Sequence, residues 1–281
     1  MKNCYLDFQS CKFPKNSKNI KKFFFHNKIL YKKCFKCGLI FQHPLPKLNM
    51  TSKFYERDYF SSYNPKEKTD LYKKRKIQYG LDRKILNNFF EDSCKKKILD
   101  YGCGNAEFVS LFEKSKKYGF EINRFAIKNK NVKYVQNLNH LKKQTFDLII
   151  MRGVIEHLPN FQQVVISLVK RLKKNGIFFI SATPNSHNIT MFLQRSKFNQ
   201  NHREHLFHFN HINLSLFMLK YNLYNIFTAF PYHDTPYADI KKDFIEHKKM
   251  LRNFNNKSQY KNITPPSVGN MMTIIFKKIK N

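Results

Sequence analysis

The chain has 281 residues, of which 42% are hydrophobic and 25% charged, and its formal net charge is +33. This composition supports a buried core and excludes wholesale disorder, and the length fits one large domain or one domain with a small appendage. No apolar run approaches the roughly 18 to 20 residues of a membrane-spanning helix, and the first residues, MKNCYLDFQSCK, lack the apolar segment of a signal peptide. We therefore expect a cytoplasmic protein without a membrane span.

The basic charge has two interpretations. Only nine of the 52 basic residues are Arg, the Lys residues are spread along the whole chain, and 29 residues are Phe. A/T-rich codons produce such a mixture, whereas dedicated nucleic-acid readers rely on Arg forks. We favour codon bias over an anionic substrate or surface, but the charge alone does not decide between them.

The first 46 residues form a Cys- and Lys-rich segment that ends in HPLP. In a reducing compartment its four cysteines favour metal ligation over disulfides. Cys34 and Cys37 form a C-x-x-C pair of the kind that binds zinc. Cys4 and Cys11, however, are separated by six residues, and Asp7 stands where a regular first pair would end. Two interpretations remain: zinc held by Cys4, Cys34, Cys37 and either Cys11 or Asp7, or a degenerate segment without metal.

Residues 47–95 are expected to form a linker and a leading helix, because apolar residues recur at helical spacing between residues 69 and 93. From residue 96 onward strands and helices alternate. The predicted strands are KILDY (97–101), KYGFE (117–121), VKYVQ (132–136), FDLIIM (146–151), GIFFIS (176–181), LYNIFTAF (223–230) and MMTIIFKKI (271–279). The predicted helices are 106–115, 123–130, 162–174 and 213–222. Apolar strands separated by helices predict an α/β fold with a mostly parallel sheet that is covered on both faces.

The stretch ILDYGCGNAEF places an acid and two glycines at the carboxyl end of the first of these strands. Asp100, Gly102 and Gly104 form D-x-G-x-G, and the third glycine of a dinucleotide fingerprint is replaced by Glu107. Glycine lets a ligand approach the backbone closely. An acid there suits a ligand with an ammonium group and a positive sulfur better than a pyrophosphate, and S-adenosylmethionine (SAM) is such a ligand. Glu121 ends the next strand, where an acid can accept hydrogen bonds from ribose hydroxyls.

Four stretches in chain order resemble the successive motifs of class I SAM-dependent methyltransferases. They are ILDYGCGNAEF, YGFEI, FDLIIMRGVIEHLPN and LKKNGIFFISATPNS. The similarity extends over residues 96–281 and is strongest to the group that includes ubiquinone-biosynthesis O-methyltransferases and sugar methyltransferases of polysaccharide clusters. It implies a Rossmann-like, seven-stranded, mostly parallel sheet with helices on both faces, and a SAM-dependent methyltransferase domain over residues 96–281. The first 46 residues resemble the zinc ribbon that precedes many of these sugar methyltransferases.

The resemblance also implies roles for single residues. Asp100, Gly102, Cys103 and Gly104 would line the methionine end of SAM, and Glu121 would hold the ribose. Asn137 and Leu138 stand where the family often has an acidic-apolar pair beside the adenine, and Met151 with Arg152 would lie beside the methyl group.

Two histidines are candidates for the chemistry. Methyl transfer requires mainly alignment and exclusion of water, and a hydroxyl acceptor also benefits from a base such as His. His157 follows the fourth strand, where the resemblance puts the acceptor side, and His205 matches the family's His before the last helix. Each could instead be a packing residue. His202, His205, His208 and His211 recur every third residue, a spacing that alternates faces on a strand and argues against a shared metal site.

We therefore predict a SAM-dependent methyltransferase that acts on a small-molecule or saccharide acceptor, at oxygen, with zinc as a second cofactor of the N-terminal segment. An anionic acceptor would suit a basic pocket, and residues 231–260 are candidates for a lid over it. The alternative is a nucleic-acid-binding or RNA-modifying protein that uses the basic surface and the ribbon, and this is the less favoured reading.

Overall fold

The computed structural model of the protein describes residues 5–6, 20–46, 69–123, 126, 129–141, 144–200, 203–256, 258 and 269–280. The strands are β1 (Ile20–His26), β2 (Ile29–Cys34), β3 (Ile40–His43), β4 (Lys97–Tyr101), β5 (Lys116–Phe120), β6 (Lys133–Val135), β7 (Phe146–Arg152), β8 (Leu172–Pro184), β9 (Phe207–His208), β10 (Leu223–Ala229) and β11 (Met271–Lys278). The α-helices are α1 (Asp70–Asn87), α2 (Glu107–Ser110), α3 (Phe161–Val169), α4 (Ile189–Gln194), α5 (His211–Leu219) and α6 (Ile240–Asn255).

Seven strands form one sheet in the order β10-β11-β8-β7-β4-β5-β6. Every neighbouring pair among β8, β7, β4, β5 and β6 is parallel, and β11 runs antiparallel to both β8 and β10. This confirms the expected seven-stranded, mostly parallel sheet. Because β4 comes first in this sheet and lies between β5 and β7, the chain switches direction of winding beside it, and ligands bind at such a point in α/β sheets.

Apolar side chains cover the sheet on both faces. Successive side chains of a strand point to opposite faces, so Leu99 joins the buried cluster around α3 and α5, whereas Ile98 joins the cluster around α1 and α2. The near-continuous apolar runs that made these strands predictable therefore reflect burial on two sides.

A second, antiparallel sheet has the order β1-β2-β3-β9. Its first three strands come from the N-terminal segment, but β9 belongs to the methyltransferase-like region, and Phe41 pairs with Phe207. Tyr5 packs edge-to-face on both of these rings, and Leu6 is fully buried in the same cluster. The N-terminal segment is thus attached to the rest of the chain by a strand pair and by apolar packing.

Several predicted boundaries shift in the structure. The helix expected at 106–115 is limited to α2, because residues 111–115 turn directly into β5. The described residues of 123–130 contain no helix, and the predicted C-terminal end of 162–174 belongs to β8. Within the range proposed as a lid, residues 240–255 form α6, whose N-cap is Asp239. In the part of the chain that the structure covers, no helix is both long and apolar enough to cross a bilayer.

Candidate active site

Asp100 lies at the carboxyl end of β4, beside the switch point of the sheet, and its side chain is almost completely buried. Burial raises the pKa of Asp100 to about 7; the positive charge of Arg152 lowers this pKa, and the negative charge of Glu121 raises it. The carboxyl is therefore held close to its ionisation point, and a cationic group brought next to it would favour the charged form.

The glycine turn, residues 102–104, connects β4 to β5 through backbone hydrogen bonds. The amides of Gly102 and Cys103 both donate to the carbonyl of Phe120, at 2.8 and 3.1 Å. Gly102 has a φ of +79°, and a Cβ there would lie 2.6 Å from Val154 Cγ2. This position therefore requires glycine both for its conformation and for its space.

Gly104 has a φ of +53°, and a Cβ at this position would meet no atom within 4 Å. The turn therefore leaves open space beside Gly104, which is the feature a closely approaching ligand requires. The side chain of Cys103 packs against Gly119 of β5, where an added Cβ would lie 2.7 Å from its Sγ, and the Sγ donates to the carbonyl of Gly104 at 3.7 Å.

Glu121 follows β5 and is oriented by two backbone amides. Gly104 N donates to Oε2 and Asn123 N donates to Oε1, both at 2.8 Å. Each carboxylate oxygen keeps further acceptor capacity after one such bond. The arrangement presents a fixed pair of acceptors next to the glycine turn, which suits a vicinal diol.

The predicted adenine contacts lie at the rim of the sheet. Asn137 is exposed, and its Oδ1 accepts from the amide of Asn139 at 2.8 Å. Leu138 packs against the core and its carbonyl accepts from Arg171 Nη2 at 2.9 Å. Met151, expected beside the methyl group, is fully buried in the core cluster that contains Leu99. Its neighbour Arg152 belongs to the opposite face.

His157 and His205 lie next to each other in the structure, although they are 48 positions apart in the sequence. Their ring centroids are 4.8 Å apart. His157 Nδ1 donates to the carbonyl of Glu204 at 3.0 Å, and His205 Nδ1 donates to the carbonyl of Gln200 at 2.8 Å. Because each Nδ1 must carry the proton in these bonds, Nε2 carries the lone pair of each neutral ring.

Glu156 completes this cluster and was not among the predicted residues. It is 1% exposed, its Oε2 accepts from Thr183 Oγ1 at 3.1 Å, and its Oε1 lies 3.9 Å from His157 Nε2. Burial raises the pKa of Glu156 to about 8. One ligand atom each from Glu156, His157 and His205 lie within 4.8 Å of one another. Such a set can relay a proton, and it can hold a divalent cation when Glu156 is ionised.

The other described histidines of the repeated tract contribute no ligand atom to this cluster. His208 is buried in β9, where its ring contacts those of Tyr31 and Phe198 and also the ring of His205, at a centroid distance of 6.3 Å. His211 begins α5 and stacks on His187 with a centroid distance of 5.6 Å. His202 lies outside the described residues. Of the described members of the tract, His205 and His208 are therefore neighbours, whereas His211 packs on His187.

Of the predicted zinc ligands, the structure describes Cys34 and Cys37. Cys34 is buried at the end of β2, and the amide of Gly38 donates to its carbonyl at 2.8 Å. Gly38 has a φ of +77°, which lets the chain turn sharply back after Cys37. Cys4, Cys11 and Asp7 lie outside the described residues, so the structure leaves the zinc hypothesis as a prediction.

Sequence reasoning missed the residues that surround Arg152. Asp82 of α1 forms an ion pair with it at 2.7 Å, and Tyr79 lies under its guanidinium. A signal was present: Gln78, Asp82 and Leu86 recur every fourth residue and are the buried positions of α1. A carboxylate on the buried face of a helix requires a partner.

Comparison with known proteins gives one family. A family model described as a methyltransferase domain matches residues 73–227. The ubiquinone biosynthesis O-methyltransferase of Rickettsia prowazekii (strain Madrid E) is 31% identical over 122 residues, which cover 38% of this chain and 46% of that protein. Its counterpart from Rickettsia typhi is 29% identical over 122 residues, covering 38% and 48%. The chain therefore spans about half the length of the curated relatives it matches.

Solved methyltransferase and related structures are also similar to this chain, at low sequence identity. A SAM-dependent methyltransferase from Archaeoglobus fulgidus has a TM-score of 0.49 and 16% identity, over 73% of this chain and 94% of that chain. The YcgJ protein from Bacillus subtilis has a TM-score of 0.47 and 14% identity, over 73% and 100%.

Proposed function

This chain belongs to the family of SAM-dependent methyltransferase domains, and on that premise we propose that it transfers the methyl group of SAM to an oxygen atom of a small-molecule acceptor. One observation carries the proposal. Glu121 is held by two backbone amides against the glycine turn, beside the buried carboxyl of Asp100. This arrangement offers acceptors for a ribose diol and an anion for an ammonium group, 21 residues apart in sequence and adjacent in space.

The cofactor would be held along the carboxyl edge of the sheet. Glu121 would accept hydrogen bonds from both ribose hydroxyls, and Asp100 would face the ammonium group of the methionine part. The open space at Gly104 admits the chain of the methionine close to the backbone. Asn137 and Leu138 would flank the adenine, since they follow β6 on the far side of β5.

When bound, SAM supplies an electrophilic methyl group on a positive sulfur, which leaves as a neutral thioether. The protein has to place the acceptor oxygen in line with that group and to exclude water. His157 would accept the hydroxyl proton at Nε2, because its Nδ1 is already committed to the carbonyl of Glu204. Burial favours the protonated form of Glu156, 3.9 Å from that nitrogen. The imidazolium that forms would favour ionisation of Glu156, and the carboxylate would then stabilise it. The contact between the two rings holds His205 beside the base, where it can contact the acceptor.

The acceptor class rests on relatives and on charge. The Rickettsia relatives are named as O-methyltransferases of ubiquinone biosynthesis, which favours a hydroxyl on a small molecule. A saccharide hydroxyl would present the same chemistry to His157. The net charge of +33 would favour an anionic form of either acceptor.

We also propose zinc in the N-terminal segment, held by Cys34 and Cys37 together with Cys4 and either Cys11 or Asp7. The turn that brings Cys34 and Cys37 together supports two of the four ligands. Metal analysis of the purified protein tests this, with Cys37→Ser expected to lower the zinc content and Cys94→Ser, an exposed cysteine outside the segment, expected to leave it unchanged. Absence of zinc from both the wild type and Cys94→Ser would contradict the proposal.

The first test of the function is calorimetric titration of the protein with S-adenosylhomocysteine, the demethylated product. We expect micromolar binding that is lost in Asp100→Ala and in Glu121→Ala. Glu113→Ala is the matched control, because Glu113 is an exposed acid outside the site. If the folded wild-type protein does not bind the product, the proposed function is wrong.

A further inference from the structure

Arg152 ends β7, and its guanidinium is fixed on two sides. Its Nε donates to Asp82 Oδ2 at 2.7 Å, and its central carbon lies 4.6 Å from the centroid of the Tyr79 ring. The hydrogen bond to Asp82 fixes the edge of the guanidinium that carries Nε, and the Tyr79 ring packs against its face. The side chain nevertheless keeps 19% exposure, so part of it reaches an open space.

Asp82, the partner of Arg152, is itself fully engaged. It is 1% exposed on α1, and its Oδ1 accepts from Gln78 Nε2 at 3.0 Å. With Oδ2 bound to Arg152, both oxygens have a side-chain donor. Asp82 therefore orients the Nε edge of the guanidinium. The two Nη groups donate no hydrogen bond to the part of the chain that the structure describes, so they remain available to a ligand. A guanidinium with two parallel N–H groups matches a carboxylate.

Arg152 lies close to Asp100, on the same face of the sheet. Asp100 pairs with Ile150 across β4 and β7, and side chains two residues apart on a strand share a face, so Arg152 and Asp100 lie on the same face of the sheet. The field of Arg152 acts on Asp100 directly, since it lowers the pKa of that carboxyl. A cation and an acid thus stand side by side next to the glycine turn.

We propose that Arg152, oriented by Asp82 and Tyr79, binds the carboxylate of the methionine part of SAM. This inference rests on the proposed function. The methionine part carries an ammonium group and a carboxylate on one carbon, and Asp100 with Arg152 offers the complementary pair of charges. Arg152 is then a determinant of cofactor recognition, and Asp82 is a positioning residue that acts through it.

A simpler account would give Arg152 a structural role only, as the counterion of the buried Asp82. The two accounts predict different ligand dependence. Loss of a structural residue weakens every ligand of the site alike, whereas loss of a carboxylate-binding residue weakens only ligands that carry the carboxylate. The comparison therefore needs ligands that differ by this group.

The experiment is calorimetric titration with three ligands. They are S-adenosylhomocysteine, its decarboxylated analogue, and 5′-methylthioadenosine, which lacks the whole amino-acid part. We expect Arg152→Gln to weaken binding of S-adenosylhomocysteine about 10- to 100-fold, the range for a hydrogen-bonded charged group. Binding of the decarboxylated analogue and of 5′-methylthioadenosine should change less than about 2-fold. Arg152→Lys should fall between, because a point charge replaces the fork.

Two controls protect the interpretation. Arg83 of α1 is a matched residue, since it pairs with Asp92 at 3.7 Å and its guanidinium lies 4.0 Å from the Phe112 centroid. Arg83→Gln should leave all three affinities unchanged. Because Arg152→Gln leaves Asp82 buried without its cation, the double variant Asp82→Asn/Arg152→Gln removes both charges, and it should keep the same difference between ligands.

The possible results distinguish failure of the proposed function from failure of the inference about Arg152. If the wild type binds neither S-adenosylhomocysteine nor 5′-methylthioadenosine, the proposed function fails and the inference with it. If Arg152→Gln weakens all three ligands equally, the residue is structural and the inference alone is overturned. It is likewise overturned if all three affinities are unchanged, whether or not turnover falls.

Discussion

Replacing Gly102 by alanine should destabilise the protein through two separate effects. The residue has a φ of +79°, where a side chain costs roughly 1–2 kcal/mol. The added Cβ would also lie 2.6 Å from Val154 Cγ2, and relieving such an overlap costs roughly 1–3 kcal/mol. We expect Gly102→Ala to lower the free energy of unfolding by about 2–5 kcal/mol, as measured by urea denaturation.

Gly104→Ala separates the two effects. Gly104 also has a positive φ, +53°, but a Cβ there meets nothing within 4 Å, so only the backbone penalty of about 1–2 kcal/mol applies. Val154→Ala provides the complementary test, because it should restore about 1 kcal/mol or more in the Gly102→Ala background. A double-mutant cycle measures this coupling. Equal losses in the two glycine variants, or a coupling of zero, would refute the proposed overlap with Val154.

Four further outcomes are expected. His157→Gln should abolish methyl transfer in a radiolabel assay and leave the affinity for S-adenosylhomocysteine unchanged; loss of binding would contradict its role as base. Prolonged dialysis against a chelator should leave turnover unchanged if His157 acts as base, whereas activity restored by a divalent cation would assign the cluster to a metal. Because burial raises the pKa of Asp100 from 3.8 to about 7, the folded state binds the extra proton. The contribution of this proton to the free energy of unfolding is complete below about pH 4 and is lost as the pH rises to 7. Asp100→Asn should therefore flatten the pH dependence of unfolding in that range by up to about 4 kcal/mol, and an unchanged slope would show that Asp100 does not titrate there. Gln42→Leu removes hydrogen bonds to the carbonyls of Arg203 and His205, at 2.8 and 3.1 Å, and should cost about 1–3 kcal/mol in thermal or urea unfolding; a smaller loss would mean that water replaces these bonds.

The parallel sheet was predictable because its strands are short apolar runs. The predicted 97–101 coincides with β4, and 146–151 differs from β7 by one residue. The N-terminal strands escaped prediction for a chemical reason: in IKKFFFH and ILYKKC, Lys residues interrupt the apolar alternation. Their pairing with β9 depends on residues that are distant in the chain, which no local pattern records.

The residues of the candidate site likewise include some that the sequence predicts and some that it does not. Asp100, the glycine turn and Glu121 follow from local spacing, since each stands at the end of a predicted strand. The ion pair of Arg152 with Asp82 joins residues 70 apart. The contact between His157 and His205 likewise depends on the way the chain returns through β9. Tertiary packing creates such contacts, and a single sequence does not reveal them.

The strand pair between β3 and β9 has a consequence for the order of events during synthesis. Gln42 and His205, which the pair brings into contact, are 163 residues apart. At about 5–20 residues per second, the ribosome delivers β9 on the order of 10–30 s after β3. During this interval the edge of β3 that β9 will cover is open to pairing with other chains. The same arriving segment carries His205, so the segment that completes the small sheet also supplies the second histidine that lies beside His157.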